Sequence, residues 1–496
     1  MKRRVGLLLL LLVAALAPEA RAASPLARAL DAALAARALR GARVGALVVA
    51  RDDGRVLYER NADTALVPAS NQKLLTAIAA LSAFGPSHHF PVEILTSEPP
   101  DSAGSVGTLF VRAGGDPALT SEDLWRLAAD LRTAGLREVR DGVVIDDSAF
   151  DSERWHPGWG PVSARAYHAP VGAFTANYGA FAVEIRPGRQ PGDPVEVNVD
   201  PSIPFLPLTN RAITGPSRGK STLVVDRRAE GDSERVVVSG SVPAGRDAKI
   251  FYRSVLDPAA YAGALLRLQL TANGIAVAGA TRRGPVAAAA VPFWKFDGHS
   301  LAEITRSFLK HSNNAIAESL VKALGARDSG EPGSWRNGVP ALREALAAAG
   351  IATEGMVIVD GSGLSYDNRV SPRQLVDGLR VAAASFRFGP EFTAALPIAA
   401  ADGTLEKRAL AAANAVRAKT GLLTRVTSLS GYAELADGTR VAFSLIINGF
   451  RSSAERAMDA ADGFVAALTA GSAAAAGDVS AGDSAAAQDR RAAWAE

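Results

Sequence analysis

The chain has 496 residues, no cysteine, 54 lysines and arginines against 51 aspartates and glutamates, and a formal net charge of +3. That near balance, with no basic block interleaved with aromatics, argues against a nucleic-acid-binding protein; without cysteine, stability has to come from packed cores rather than cross-links. The six histidines, His88, His89, His156, His168, His299 and His311, fall into no metal-ligand spacing, so no metal or other cofactor is expected.

At the N-terminus, Lys2-Arg3-Arg4 is followed by an apolar run from Val5 to Ala17 and by Ala20-Arg21-Ala22. This is the layout of a cleavable signal peptide over residues 1–22, and it predicts an exported protein of the periplasm or cell envelope. The run is short for a bilayer span, and no later stretch is long and apolar enough for one. The remainder is long enough for two or three domains. Residues 471–496, rich in Ala, Gly, Asp and Ser, read as a disordered tail.

Residues Ala27 to Arg40 predict an amphipathic helix, and Val44–Ala50 and Val56–Tyr58 a hairpin turning at Asp52-Asp53-Gly54. Pro68-Ala69-Ser70-Asn71-Gln72-Lys73 then opens a helix whose apolar positions Leu74, Leu75, Ile78 and Leu81 face a core. That order predicts a helix packed on an antiparallel sheet. Ser70 and Lys73 are three residues apart and therefore neighbours on the helix. A serine hydroxyl is nearly inert until something takes its proton. A lysine does so only when neutral, which requires lowering its pKa by roughly 3 units, about 4 kcal/mol. By itself, Ser-x-x-Lys is a weak signal, and its plain reading is a capped helix with a solvated lysine.

From about Ser97 the pattern changes. Leu109–Arg112 and Val143–Ile145 read as strands around a helix capped by Thr120 with Leu124, Leu127, Ala128 and Leu131 on one side. Between 171 and 255 short β-branched runs alternate with Pro/Gly turns, and a helix from Pro258 towards Gly274 follows. These changes predict an insertion over about 98–285, with an α/β part (98–170 and 256–285) and a β-rich part (171–255), inside a discontinuous domain of residues 23–97 and 286–470.

Ser300-Leu301-Ala302-Glu303 is a capping box. Its helix runs through Ile304, Phe308 and Leu309 into Lys310-His311-Ser312-Asn313-Asn314, and a second helix leaves with Ile316, Leu320 and Leu324. Ser312 and Asn314 thus stand at an interrupted junction, where polar groups can face a cleft. Ala415–Gly421 reads as a strand, and Ser428–Leu435 and Val441–Asn448 as a second Asp-Gly hairpin, so that both hairpins can share one five-stranded sheet. A last helix, capped by Ser452 with Glu455, buries Met458, Ala461, Phe464, Val465 and Leu468.

Ser70-x-x-Lys73, Ser312-x-Asn314 and Lys419-Thr420-Gly421 occur in that order, each in its fitting setting of helix start, helix junction and strand. With Lys310–Glu318, Asp360-Gly361-Ser362-Gly363-Leu364-Ser365, Asp402-Gly403-Thr404-Leu405 and Leu429-Ser430-Gly431-Tyr432, the chain resembles the class C low-molecular-mass penicillin-binding proteins, D-Ala-D-Ala carboxypeptidases and endopeptidases of the bacterial envelope. The resemblance covers about 27–468. It implies an α+β fold of the penicillin-binding-protein and serine β-lactamase kind with a large, mostly β insertion. It also implies peptidoglycan stem peptides as substrate and β-lactam antibiotics as acylating inhibitors.

In that reading Ser70 is the nucleophile, Lys73 its base, Ser312 the carrier of the proton to the departing amine, Asn314 a holder of Lys73 and substrate, and Lys419 a fixed positive charge. Thr420, Gly421 and Leu422 line the substrate, and the N–H groups of Ser70 and Leu422 form the oxyanion hole. The family commonly has Thr or Ser where Leu422 stands, so a hydroxyl for the substrate's terminal carboxylate is missing, with Thr420 and Thr424 close in sequence to replace it. A serine β-lactamase or esterase of the same fold, and a wall-binding scaffold without catalysis, are the alternatives. Asp360 and Asp402 read as turn residues, and Trp155 and Trp159 as core or domain-interface aromatics.

Overall fold

In the computed structural model, described here for residues 24–473, alternating apolar strands from both ends of the chain meet in one antiparallel sheet. Its order is Val416–Leu423, Val426–Glu434, Arg440–Asn448, Arg43–Ala50, Val56–Arg60, so the two expected hairpins do share five strands. Pairing of Val44 with Ile447 and of Val48 with Phe443 sets the register across the join. Because side chains alternate across a strand, one face takes Leu26, Leu30, Phe443, Phe464 and Leu468 into a core beneath the two terminal helices, Pro25–Leu34 and Ala454–Thr469. The other face packs Leu47, Val49 and Ile446 against Leu74, Leu75, Ile78 and Leu375.

Two helix ends differ from expectation. The first helix stops at Leu34, and a separate turn over Arg37–Leu39 follows. The last helix is capped by Ser453, whose side chain accepts from the Arg456 N–H, rather than by Ser452, and Met458 is only half-buried. Chain order also continues past 470: Ser472 and the Ala473 N–H both reach Asp437, and Ala473 is buried. The expected signal peptide, and the tail from 474 onward, lie outside the described residues. Among the described residues no helix is long and apolar enough to cross a membrane.

A second, six-stranded sheet carries the α/β region. Val92–Thr96 pairs antiparallel with Ser105–Ala113, which runs parallel to Glu138–Asp146 after the crossover helix Ser121–Thr133. Val291–Phe296 closes the other edge by pairing with Val92–Thr96. The breaks expected after 97 and before 286 therefore fall inside the residues of this sheet, because its two outlying strands find each other across nearly 200 residues of chain. Between them, small sheets around Ala180–Arg186, Ser233–Ser239 and Lys249–Ser254 form the β-rich part, and Pro258–Ala272 returns as a helix with Leu265, Leu266 and Leu270 buried.

Candidate active site

Ser70 sits in a short turn, Ala69–Asn71, that leads directly into the buried helix Gln72–Phe84. Ala69 holds φ +48°, a left-handed conformation that costs a non-glycine residue about 1 kcal/mol. Neighbouring groups over-determine it: the Ser428 hydroxyl donates to the Pro68 carbonyl at 2.7 Å, and Asn448 accepts from the Val67 N–H and donates to its carbonyl at 2.9 and 3.0 Å. Asn71, fully buried, donates to the Lys419 carbonyl at 2.8 Å, and Ser430 donates to its side-chain oxygen at 2.6 Å. The start of the helix is thus pinned to the sheet by polar groups that no single motif announces.

Lys73 lies wholly buried, with Nζ 3.0 Å from Ser70 Oγ, 2.7 Å from Asn314 Oδ1 and 2.7 Å from the Ser362 carbonyl. Burial drives its pKa from an ordinary 10.5 down to about 7, against the pull of the carboxylates of Asp360 and Glu318. Such a displacement corresponds to about 5 kcal/mol.

Ser312 and Asn314 come from the break between Leu301–His311 and Asn314–Ser329. Ser312 adopts φ +58° there, and Asn313, not Asn314, caps the second helix, leaving the Asn314 side chain free to reach Lys73 and, through Nδ2, the Tyr167 carbonyl at 2.8 Å. Lys419 Nζ donates to Ser312 Oγ at 2.8 Å and to the Thr420 carbonyl at 2.6 Å. Lys419 is fully buried, and its pKa is driven well down, first by burial and then by the charge of Lys73. Like charges in a buried site disfavour each other's protonation.

Gly421 lets the strand approach the nucleophile. A Cβ there would lie 2.2 Å from Ser428 Oγ and 3.0 Å from Ser70 N. Leu422 is 47 % exposed at the mouth. Of the two threonines close to it, Thr420 spends its hydroxyl on Thr404 at 2.8 Å, while the Thr424 N–H donates to the Tyr366 hydroxyl.

A loop over residues 360–365 forms the floor. The Asp360 carboxylate accepts from the N–H groups of Gly363 and Ser365 at 2.7 Å each, from Asn368 at 2.8 Å and from the Trp159 indole at 2.9 Å, so it does hold a turn. Trp159 is the interface aromatic that this contact makes it, while Trp155 donates to the His168 carbonyl. Asp402 accepts from the Ile398 N–H and pairs with Lys310 at 2.5 Å. Gly363, at φ +78°, has room for no Cβ, since one would sit 1.9 Å from the Ala69 carbonyl. Gly363→Ala is expected to destabilise the protein by about 2–4 kcal/mol and displace the Ser70 turn. A thermal melt, with penicillin labelling on the same sample, checks both effects.

Ser70, Lys73 and Asn314 thus meet in contacts of 2.7–3.0 Å, Ser312 and Lys419 meet in a second contact of 2.8 Å, and the Lys419 carbonyl is tied to Asn71 beside the nucleophile. The chain matches the "D-Ala-D-Ala carboxypeptidase 3 (S13) family" over residues 26–470. The chain belongs to the S13 family. Among its S13-like relatives is a D-alanyl-D-alanine carboxypeptidase of Actinomadura sp. (strain R39), 37 % identical over 446 residues, covering 86 % of this chain and 82 % of the relative. The D-alanyl-D-alanine carboxypeptidase DacB of Haemophilus influenzae is 28 % identical over 417 residues, covering 83 % and 86 %. The crystal structure of penicillin binding protein 4 (dacB) from H. influenzae superposes with a TM-score of 0.75 at 26 % identity, covering 88 % of this chain and 98 % of that one. A second crystal structure of it, in complex with a β-lactam, gives 0.70 at 25 % identity over the same shares.

The S13 assignment bears out the resemblance to class C low-molecular-mass penicillin-binding proteins and the α+β fold. The protein is a serine-type D-Ala-D-Ala carboxypeptidase, a hydrolase of the penicillin-binding kind. Three contributors escaped the motif search: Asn71, the Ser362 carbonyl and Tyr167. Asn71 and Ser362 lie inside stretches the sequence had singled out, but their roles depend on long-range partners, and a loop carbonyl such as that of Tyr167 has no residue signature.

Proposed function

We propose that the S13 reaction runs on Ser70, with Lys73 as general base. The contact that supports this reading is Lys73 Nζ to Ser70 Oγ, 3.0 Å, in a site where the amine titrates near pH 7. The two other acceptors around Lys73, Asn314 Oδ1 and the Ser362 carbonyl, accept only. A neutral amine has two hydrogens, and both are taken by those oxygens. Its lone pair is then left facing the Ser70 hydroxyl.

Ser70 Oγ attacks the carbonyl of the D-Ala-D-Ala peptide bond as its proton passes to Lys73 Nζ. The oxyanion is stabilised by the N–H groups of Ser70 and Leu422. Collapse breaks the C–N bond, and the proton held by Lys73 passes on through Ser312, bridged to Lys419, to the departing D-alanine amine, leaving Lys73 neutral again. Water then attacks the acyl-enzyme with Lys73 again accepting a proton, and Ser70 is restored. Thr420, Gly421 and Leu422 border the substrate. The same chemistry on a peptide whose D-Ala amide joins two stems cleaves a cross-link, and benzylpenicillin acylates Ser70 at its lactam carbonyl. Substrate is met outside the cytoplasm, which fits the signal peptide read from residues 1–22. We further read the chain as a peptidase domain interrupted near 91 and 297, its insert reaching the site through Tyr167 and Trp159.

Release of D-alanine from an N-acylated D-Ala-D-Ala peptide, with mass spectrometry of digested muropeptides, tests the reading. Loss of free D-alanine and of cleaved cross-links in Ser70→Ala is expected; wild-type turnover by that variant overturns it. Leu422→Thr restores a hydroxyl at the mouth and is expected to raise kcat/KM for this peptide by about 3–10-fold, the net worth of one ordinary hydrogen bond.

A further inference from the structure

Glu318 lies one helical turn beyond Asn314 and is fully buried. One carboxylate oxygen accepts from the Gly361 N–H at 3.0 Å and the Trp335 indole at 2.8 Å; the other accepts from the Ser362 N–H at 2.8 Å. Its acceptors are therefore turned to the loop and not to the cleft. Ser362, whose N–H donates this bond, accepts from Lys73 Nζ at its own carbonyl at 2.7 Å. Thr76, one turn after Gln72 on the nucleophile helix, donates to the Gly361 carbonyl at 2.7 Å, locking the same loop from the other side.

We propose that Glu318 is a positioning residue for the base: by clamping the Gly361 and Ser362 N–H groups it holds the Ser362 carbonyl against Lys73, and its charge sets how readily Lys73 sheds a proton. The inference rests on Lys73 being the base. One helix then grips the amine twice, directly through Asn314 and indirectly through Glu318. An acid buried to this depth without ion-pair contact is costly unless its hydrogen bonds are met; here three donors meet them.

The other titratable groups around this pair are Asp360 in the loop, Lys419 on the strand, and Lys322, one turn further along the helix. Lys322 is paired with Asp151 and lies 4.1 Å from the centre of the Trp335 ring. His156 meets the other side of that indole, with ring centroids 5.2 Å apart. Burial and the charge of Asp360 raise the pKa of Glu318 itself, and its negative charge raises that of Lys73.

The pH profile of the acylation rate by benzylpenicillin separates positioning from mere structure. In Glu318→Gln the amide keeps the shape and loses the charge, and its NH2 faces an N–H. The plateau is expected to fall about 10-fold or more, with the acid limb displaced to lower pH by about half a unit or more. Glu318→Asp keeps the charge but shortens the reach. For it the plateau is expected to fall while the limb stays near the wild-type position.

A lowered plateau in Glu318→Gln with an unmoved limb overturns the electrostatic part, and an unchanged plateau in both variants overturns the whole. Should Glu318→Gln fail to fold in a thermal melt, the plateau of Glu318→Asp decides the positioning claim alone. Lys73→Ala run in parallel distinguishes the two levels: if it acylates with a wild-type limb, the assignment of the base is what fails.

Discussion

Lys73→Ala is expected to slow acylation by benzylpenicillin by about 10²–10⁴-fold, the usual worth of a positioned general base. The wild-type rate should rise with pH through about 7, because only the neutral amine accepts the Ser70 proton and burial brings the lysine to that point. Below it the ammonium donates to Ser70 Oγ, Asn314 Oδ1 and the Ser362 carbonyl at once and has no lone pair to offer. Lys73→Arg sharpens the argument. A guanidinium keeps the charge but does not give up its proton in this range, so it should be as slow as the alanine variant. Stopped-flow acylation of the three proteins between about pH 5 and 9 checks this; an unchanged limb in Lys73→Ala contradicts it.

Lys419→Ala carries the second large effect, an expected loss of about 10²–10³ in kcat/KM for a D-Ala-D-Ala peptide. In the free enzyme this amine is pushed towards neutrality by burial and by Lys73. A substrate carboxylate entering the cleft reverses the balance by supplying the missing opposite charge. Substrate binding is therefore expected to raise the pKa of Lys419 again, and Ser312, held at 2.8 Å by that amine, is oriented by the same event. The comparison that isolates this step is a peptide ending in an amide instead of an acid. Wild type should prefer the acid strongly, and Lys419→Ala should lose most of that preference. Equal preference in both proteins contradicts the role.

These two lysines show where the sequence was legible and where it was not. The periodicity of Leu74, Leu75, Ile78 and Leu81 beside a polar helix start placed Ser70 and Lys73 correctly, and the polar run Ser312-Asn313-Asn314 between two apolar patterns located the helix break that Ser312 makes with φ +58°. Alternation placed Lys419 on a strand, but not its complete burial, which depends on how three distant segments close together. That burial works against the positive charge expected of Lys419.

Glu318 was visible only as part of a motif. An acid amid alanines on a helix looks like a solvated residue until the loop at 361–362 is packed against it. The pairing of Val92–Thr96 with Val291–Phe296, close to the expected breaks, was hidden for a related reason: strand patterns do not reveal which sheet they join.

Intact-protein mass spectrometry after brief exposure to benzylpenicillin, followed by mapping of the modified peptide, addresses the convergence of residues 70, 73, 312, 314 and 419 most directly. One penicilloyl group on the peptide containing Ser70 in wild type, and none in a folded Ser70→Ala variant, is the predicted result. Equal labelling of the two proteins, or a label carried by another residue, would contradict it.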